Sequence, residues 1–222
     1  RTTLAYANEH RSYQATQRLY FRLLRTYKGL FKGHLDQDYE HPVYALDSTT
    51  ISVCLTRFRW AHYRRAKGGF KLHTVLDEDI QLPVVMNMTH GKRADVKEAK
   101  AAIEALGNKE ITVVMDRGYN DYALFMWLTK RGTKFVTRIK ENAKTTRLKD
   151  DVIEEGENFG DYGFRFTLEK AQEVCGDTRF RLVQWYDSDN DRWFEFLSND
   201  FDLTAQQIAD LYRKRWQIEL FF

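Results

Sequence analysis

Residues 203–222 read "LTAQQIADLYRKRWQIELFF", a helical pattern that carries an arginine and a glutamate inside its apolar face. With each residue turned about 100° from the last, Ile208, Leu211, Tyr212 and Phe222 fall on one stripe. Arg215 and Glu219 lie within that stripe, while Asp210, Arg213, Lys214 and Gln217 point the opposite way. A carboxylate set against a core is costly unless something compensates its charge. An i,i+4 pair with Arg215 is the simplest compensation, but on a surface it contributes only a few tenths of a kcal/mol, and this position faces inward. The rest of the chain is therefore read for other groups that converge on Glu219.

Two further acids stand where apolar runs stop. Asp47 follows "VYAL" within "HPVYALDSTTISVCL", a stretch that reads as a strand followed by a turn or second strand. Asp116 follows "ITVVM", a short continuous run of the kind that forms a strand buried on both faces. In open α/β sheets, ligands gather outside the carboxyl ends of strands. Taken alone, either Asp reads as a turn former or a helix cap. Together with Glu219 they form an oxygen-only set suited to Mg²⁺, which prefers carboxylates and retains waters. Two such ions about 3.5–4 Å apart can clamp the attacking and leaving oxygens of a phosphoryl displacement.

Between these points the pattern is mixed. Residues 1–32 read as helical and basic, "GGFKLHTVLDEDIQLPVVMNMTHG" as a hairpin, and "RADVKEAKAAIEALG" as a helix ended by Gly107. "DYALFMWLTKRG" is a second helix and "KFVTRIK" a further strand. Strands that first meander and then alternate with helices predict an α/β fold with a mixed sheet. From about residue 146 to 200 the texture turns to alternating hairpin patterns with no helical stripe. The expected organisation is a basic helical lead-in over 1–40, a first core segment over 41–145, a β-rich insertion over 146–200, and a closing helix over 201–222.

The net charge is only +3, but its distribution is uneven. Residues 1–34 hold seven Lys and Arg against Glu9, and 57–71 and 134–149 hold six each, the latter against Glu141. Acids collect in "DDVIEEGE" and between Asp187 and Asp202. This segregation points to a polyanion partner, although each run taken singly is also an ordinary solvated face. Cys54 and Cys175 make neither a disulfide framework nor a zinc site and suit a reducing cytoplasm. No apolar stretch is long enough to span a bilayer, so no membrane association is expected. The chain lacks an initiator Met and stops within a helical pattern, which reads as a piece of a longer protein.

In order, "LDSTT", "GGFKLHT", "VVMDRGYND", "FVTRIKENA" and "LYRKRWQIELFF" resemble the catalytic domain of bacterial DDE transposases of the insertion-sequence-four family. The opening "LAYANEHR" resembles the segment preceding that domain, so the likeness covers nearly the whole chain. The family signature is Tyr, two residues, Arg, three residues, Glu, six residues, Lys. Tyr212, Arg215 and Glu219 match it, and the Lys position falls beyond Phe222. The resemblance implies an RNase H-like mixed sheet flanked by helices, with Asp47 on the first strand, Asp116 on the fourth, and Glu219 on the helix after the β-rich insertion. It also implies cleavage of DNA at transposon ends with Mg²⁺ (two ions, Mn²⁺ substituting) and strand transfer by the freed 3′-OH to target DNA, in a homo-oligomer in the bacterial cytoplasm.

Arg215, and Arg117 beside Asp116, are candidates for phosphate contacts, where a guanidinium binds bidentately. Tyr212, one turn before Arg215, is a candidate for the DNA backbone or else a core tyrosine. Lys71 and His73 in "FKLHT" read as strand residues, with Lys71 a candidate DNA contact or a solvated side chain. Trp185 and Trp193 flank the turn "DSDND"; relatives use an insertion aromatic to hold an extruded base, whereas two hairpin-core tryptophans are the plainer reading. Phe58, Trp60 and Tyr63 interleave with a basic run. Two other functions remain open from sequence: an RNase H-like hydrolytic DNA nuclease using the same acids, and a catalytically silent DNA-binding remnant.

Overall fold

Residues 111–115 are almost fully buried, and a strand covered on both faces needs helices on both sides of its sheet. The computed structural model provides them; it describes residues 3–31, 39–54, 62–64, 67–140 and 145–222. The chain divides into two units, 1–37 and 38–222.

The first unit contains α1 (Thr3–His10) and α2 (Tyr13–Phe31). Arg18, Arg22 and Arg25 recur at i, i+4 and i+7 along one side of α2, while Leu19, Leu23 and Leu30 form a separate exposed apolar stripe.

The second unit begins with β1 (Val43–Val53), β2 (His62–Arg64), β3 (Lys67–Asp77) and β4 (Leu82–His90). β3 lies antiparallel between β1 and β4. After α3 (Asp95–Glu104), β5 (Thr112–Met115) pairs parallel with β1. A 3-10 turn (Arg117–Tyr119) and α4 (Tyr122–Arg131) lead to β6 (Lys134–Arg138), parallel to β5. Next come β7 (Thr145–Gly156), β8 (Phe159–Phe166), α5 (Glu169–Cys175), β9 (Phe180–Asp187) and β10 (Arg192–Ser198). The chain closes with α6 (Ala205–Lys214) and α7 (Trp216–Phe221). The sheet order is β2-β3-β1-β5-β6-β10-β9-β8-β7, with β4 on β3.

Side-chain alternation builds the layers. Val113 and Met115 pack with Ala99, Ala102 and Ile103 of α3 and Leu124, Phe125 and Leu128 of α4. Val114, Val136 and Val183 face the other way, against Ala205, Ile208, Ala209 and Leu211 of α6. α4 is held at both ends: Asp121 accepts from the Leu124 amide, and Gly132 closes it at φ +81°, a left-handed conformation that favours glycine. α6 opens with a reciprocal capping box between Thr204 and Gln207.

Four local expectations are corrected. β1 runs unbroken through Asp47 to Val53, because every residue from Tyr44 to Val53 has a partner on β3. The stretch 146–200 does contain a helix, α5; its seven residues bury only Ala171 and Cys175, too few to display a helical period. Its strands extend the central sheet, since β10 pairs antiparallel with β6. The closing helix is broken at Arg215, and fully buried Ile218, rather than Phe222 at 43% exposure, continues the apolar stripe. Among the described residues, no helix is long and apolar enough to cross a membrane.

Candidate active site

The last rung of the β1–β5 ladder pairs Leu46 with Met115, and the next residues are Asp47 and Asp116. Parallel neighbours lie about 4.8 Å apart, so the two carboxylates leave the sheet side by side at the carboxyl end of the ladder. The strands then diverge in use. β1 continues against β3, while β5 stops and Asp116 caps the 3-10 turn, its Oδ1 accepting from the Gly118 amide at 2.7 Å. Asp47 Oδ1 accepts from the Ser48 amide at 2.7 Å.

Glu219 comes from the helical layer on the α6 side. α7 packs on β1, and Arg215 stands at the α6–α7 junction with 8% of its surface exposed. Its Nη1 lies 3.3 Å from Asp47 Oδ2, and its Nη2 donates to Glu219 Oε1 at 2.5 Å. The inward glutamate is thus balanced by Arg215, which also reaches the first aspartate. Burial pushes the Asp47 carboxyl up to about 6; the Ser48 amide and Arg215 oppose that rise, while Asp116 and Glu219 add to it. The three acids therefore share one electrostatic field. Among the described residues, no group of three or more His, Cys, Asp or Glu side chains is arranged to hold a metal ion, and the Arg215 guanidinium occupies the space between Asp47 and Glu219.

Beside the acids lies a groove of about 580 Å³ lined by Arg138 of β6, Trp185 of β9, Arg192 and Phe194 of β10, Tyr212 and Arg213 of α6, Arg215 and Trp216. The guanidiniums of Arg138 and Arg192 lie 4.8 and 4.4 Å from the centre of the Phe194 ring. The Tyr212 ring packs on Phe196 at 5.0 Å and lies 5.3 Å from the Arg215 guanidinium. Guanidiniums beside aromatic faces make a surface suited to a single nucleic-acid strand. Arg138 and Arg192 were not singled out by sequence. They meet because Phe196 pairs with Arg138 across β10 and β6, a register no local pattern announces.

The other candidates are distributed unevenly. Arg117 is exposed beside Asp116. Lys71 pairs with Asp95, 2.9 Å from both carboxylate oxygens, and its side chain is 15% exposed. Ser48 Oγ donates to the same Asp95 at 2.6 Å, tying β1 to the first turn of α3. His73 is buried and hydrogen-bonded to Thr89 at 2.8 Å. Trp185 is partly buried, stacked on Phe159 at 5.9 Å, and lines the groove; Trp193 is 52% exposed against Tyr186. Phe58 and Trp60 lie outside the described residues, as do residues 57–61 and 65–66 of the basic run 57–71, and the side chain of Tyr63 is likewise not described.

The comparison with known families decides the matter: a family model described as the transposase DDE domain matches residues 38–222. The chain belongs to that family. It is 29% identical over 181 residues to a probable transposase for insertion sequence element IS5377 of Geobacillus stearothermophilus, covering 82% of this chain and 47% of that protein. It is 30% identical over 206 residues to the putative transposase y4zB of Sinorhizobium fredii, covering 87% and 55%. The chain thus spans about half the length of the curated relatives it matches. Among solved structures it resembles the piggyBac transposase in a synaptic complex with hairpin DNA, with a TM-score of 0.51 at 12% identity, over 82% of this chain and 40% of that one. The fold is the RNase H-like mixed sheet flanked by helices. DDE transposase domains generally use divalent metal ions. Asp47, Asp116 and Glu219 offer only oxygen, the donor chemistry such a hard cation takes, but with Arg215 set between Asp47 and Glu219 they are not gathered around a common metal position. Burial first, and then the acidic neighbours, raises the Asp47 carboxyl.

Proposed function

We propose that this chain is the catalytic core of an insertion-sequence transposase that cleaves DNA at transposon ends and joins the freed 3′-OH to target DNA. The observation that carries the reading is the pair Asp47 and Asp116, each one residue beyond the last rung of the parallel ladder, with Glu219 linked to Asp47 through Arg215. Asp47, Asp116 and Glu219 would hold the divalent ions, two Mg²⁺ with Mn²⁺ as substitute. When bound, such ions activate the attacking oxygen and stabilise charge on the leaving one.

The remaining roles belong to the chain's own side chains. Arg138, Arg192 and Arg213 bind the backbone of the strand entering the groove, and Tyr212 and Arg215 orient the phosphate nearest the acids. Arg117 approaches the phosphate from the Asp116 side. Trp185 offers a face for an unstacked base at the groove wall, and Trp193 is the more exposed aromatic of the same hairpin. Lys71, committed to Asp95, steadies β1 next to Asp47 rather than reaching DNA. The full protein would act as a homo-oligomer on paired ends.

The test uses the parent protein with a duplex carrying its element's end and Mg²⁺ or Mn²⁺. Cleavage followed by joined strand-transfer products is expected, and Asp116→Asn should abolish both while leaving DNA binding intact. Wild-type cleavage by Asp116→Asn would overturn the carboxylate assignment. Cleavage without any joined product would instead identify a hydrolytic nuclease.

A further inference from the structure

Arg215 belongs to two places at once. Its guanidinium bridges Asp47 at 3.3 Å and Glu219 at 2.5 Å, and the same side chain lines the aromatic groove where a DNA strand is proposed to run. Its Nε is buried with no hydrogen-bond partner, so the bridge leaves that donor of the fork unspent. The residue sits at the break between α6 and α7, and its ring neighbour Tyr212 is itself a groove residue.

A guanidinium and a divalent cation cannot both hold Asp47 and Glu219. Like charges within a few ångströms in a water-poor site repel strongly. The acids therefore have two exclusive partners, the chain's own arginine or a metal ion. A phosphodiester in the groove offers Arg215 an alternative anion, whose two non-bridging oxygens can accept both N–H bonds of a planar guanidinium.

We infer that Arg215 is a latch: it occupies Asp47 and Glu219 until a DNA phosphate in the groove draws it off, which couples metal loading to substrate. The inference rests on the proposed active site and deepens it by naming what keeps that site closed without DNA. Because coupling is reciprocal, DNA tightens metal binding and metal tightens DNA binding by the same factor. The consequence is a core that does not carry loaded metal, and so does not cut phosphodiesters at random, while no strand lies in its groove.

The test is Mn²⁺ affinity, measured by calorimetry and by the electron paramagnetic resonance of free Mn²⁺, on the full chain. Without DNA, Arg215→Gln should bind Mn²⁺ about tenfold more tightly than wild type, and Arg215→Lys, which keeps the charge, should stay near wild type. Adding a short oligothymidylate should tighten Mn²⁺ binding to wild type about tenfold and leave Arg215→Gln unchanged. Equal or weaker Mn²⁺ binding by Arg215→Gln overturns the latch. Should that variant fail to fold, the wild-type arm decides: no change on adding oligothymidylate overturns it as well. Asp116→Asn separates the two ideas. If Mn²⁺ binding ignores that substitution, the proposed active site is wrong; if it depends on Asp116 but not on Arg215, the latch alone falls.

Discussion

Gly118 holds Asp116 through its backbone: the amide donates to Asp116 Oδ1 at 2.7 Å, and a Cβ at position 118 would stand 2.8 Å from that same oxygen. Real Cβ atoms essentially never come so near, so any side chain at 118 must displace the carboxylate. The displaced atoms are the end of a short, only partly buried side chain, so the fold is expected to tolerate the change while the site does not. Gly118→Ala should leave stability within about 1 kcal/mol of wild type by denaturant melts. Cleavage of transposon-end DNA should nevertheless fall by at least about tenfold, the cost of a carboxylate displaced from its reacting geometry. Full activity would mean that the position of Asp116 is not critical.

The parts of this arrangement differ in how far they could be read from residues alone. The buried strand before Asp116 was legible because its continuous apolar run is largely β-branched and too short for a buried helix, which leaves a strand covered on both sides. Arg215 and Glu219 were legible as anomalies, charges on an apolar stripe. Their partner was not, since Asp47 lies far off in the chain and only the fold brings it to Arg215. The continuity of β1 was hidden because "STTISV" is half exposed and polar, and its strand character comes from pairing with β3. α5 was too short to show a period, and the break at Arg215 leaves no Gly or Pro to mark it. The Asp95 cluster was invisible for a related reason: Ser48, Lys71 and Asp95 come from three elements and meet across the sheet.

The two tryptophans of the β9–β10 hairpin should separate in stability. Trp185 is partly buried among Phe159 and the apolar layer formed by Val114, Val136, Val183 and α6, so Trp185→Ala should cost about 2 kcal/mol. Trp193 is half exposed, and Trp193→Ala should stay within about 0.5 kcal/mol of wild type. Chemical denaturation measures both. Equal losses would show that Trp193 carries structural packing that its exposure does not reveal.

Glu78 makes stability depend on pH. It is buried at the turn between β3 and β4, and its Oε1 lacks a hydrogen-bond partner. Burial pushes its carboxyl up to about 7; the Gln81 side chain and Lys214 oppose this, while Asp77 and Asp79 add to it. The folded chain therefore holds a proton that the unfolded chain releases near the ordinary glutamate value of 4.5. Where the native state binds more protons, stability falls as pH rises, here between about 4.5 and about 7. Glu78→Gln removes the ionisation, so it should be near neutral at acid pH and stabilise by about 3 kcal/mol well above pH 7. Melting temperatures of both proteins across that range check it; parallel curves would show that Glu78 is not held protonated.

The groove's arginines should set the salt dependence of DNA binding. Arg138, Arg192 and Arg213 come from β6, β10 and α6, and with Arg215 they outnumber the groove's acids, Asp187 and Asp189. Each phosphate neutralised by such a side chain releases a counterion, so the logarithm of affinity falls with the logarithm of salt by about 0.7 per contact on a single strand. Arg213 is the weakest of the three as a contact, being exposed and 3.7 Å from the Asp210 carboxylate. Arg138→Gln and Arg192→Gln should therefore each flatten the slope by about 0.7, together by about twice that, with Arg213→Gln changing it less. Binding should weaken to a similar degree whatever the base sequence, because phosphate contacts carry no sequence information. Fluorescence anisotropy of a labelled oligonucleotide over a salt series measures these slopes. A slope unchanged in the Arg138→Gln, Arg192→Gln double variant would place the strand elsewhere on the protein and remove the groove from the mechanism.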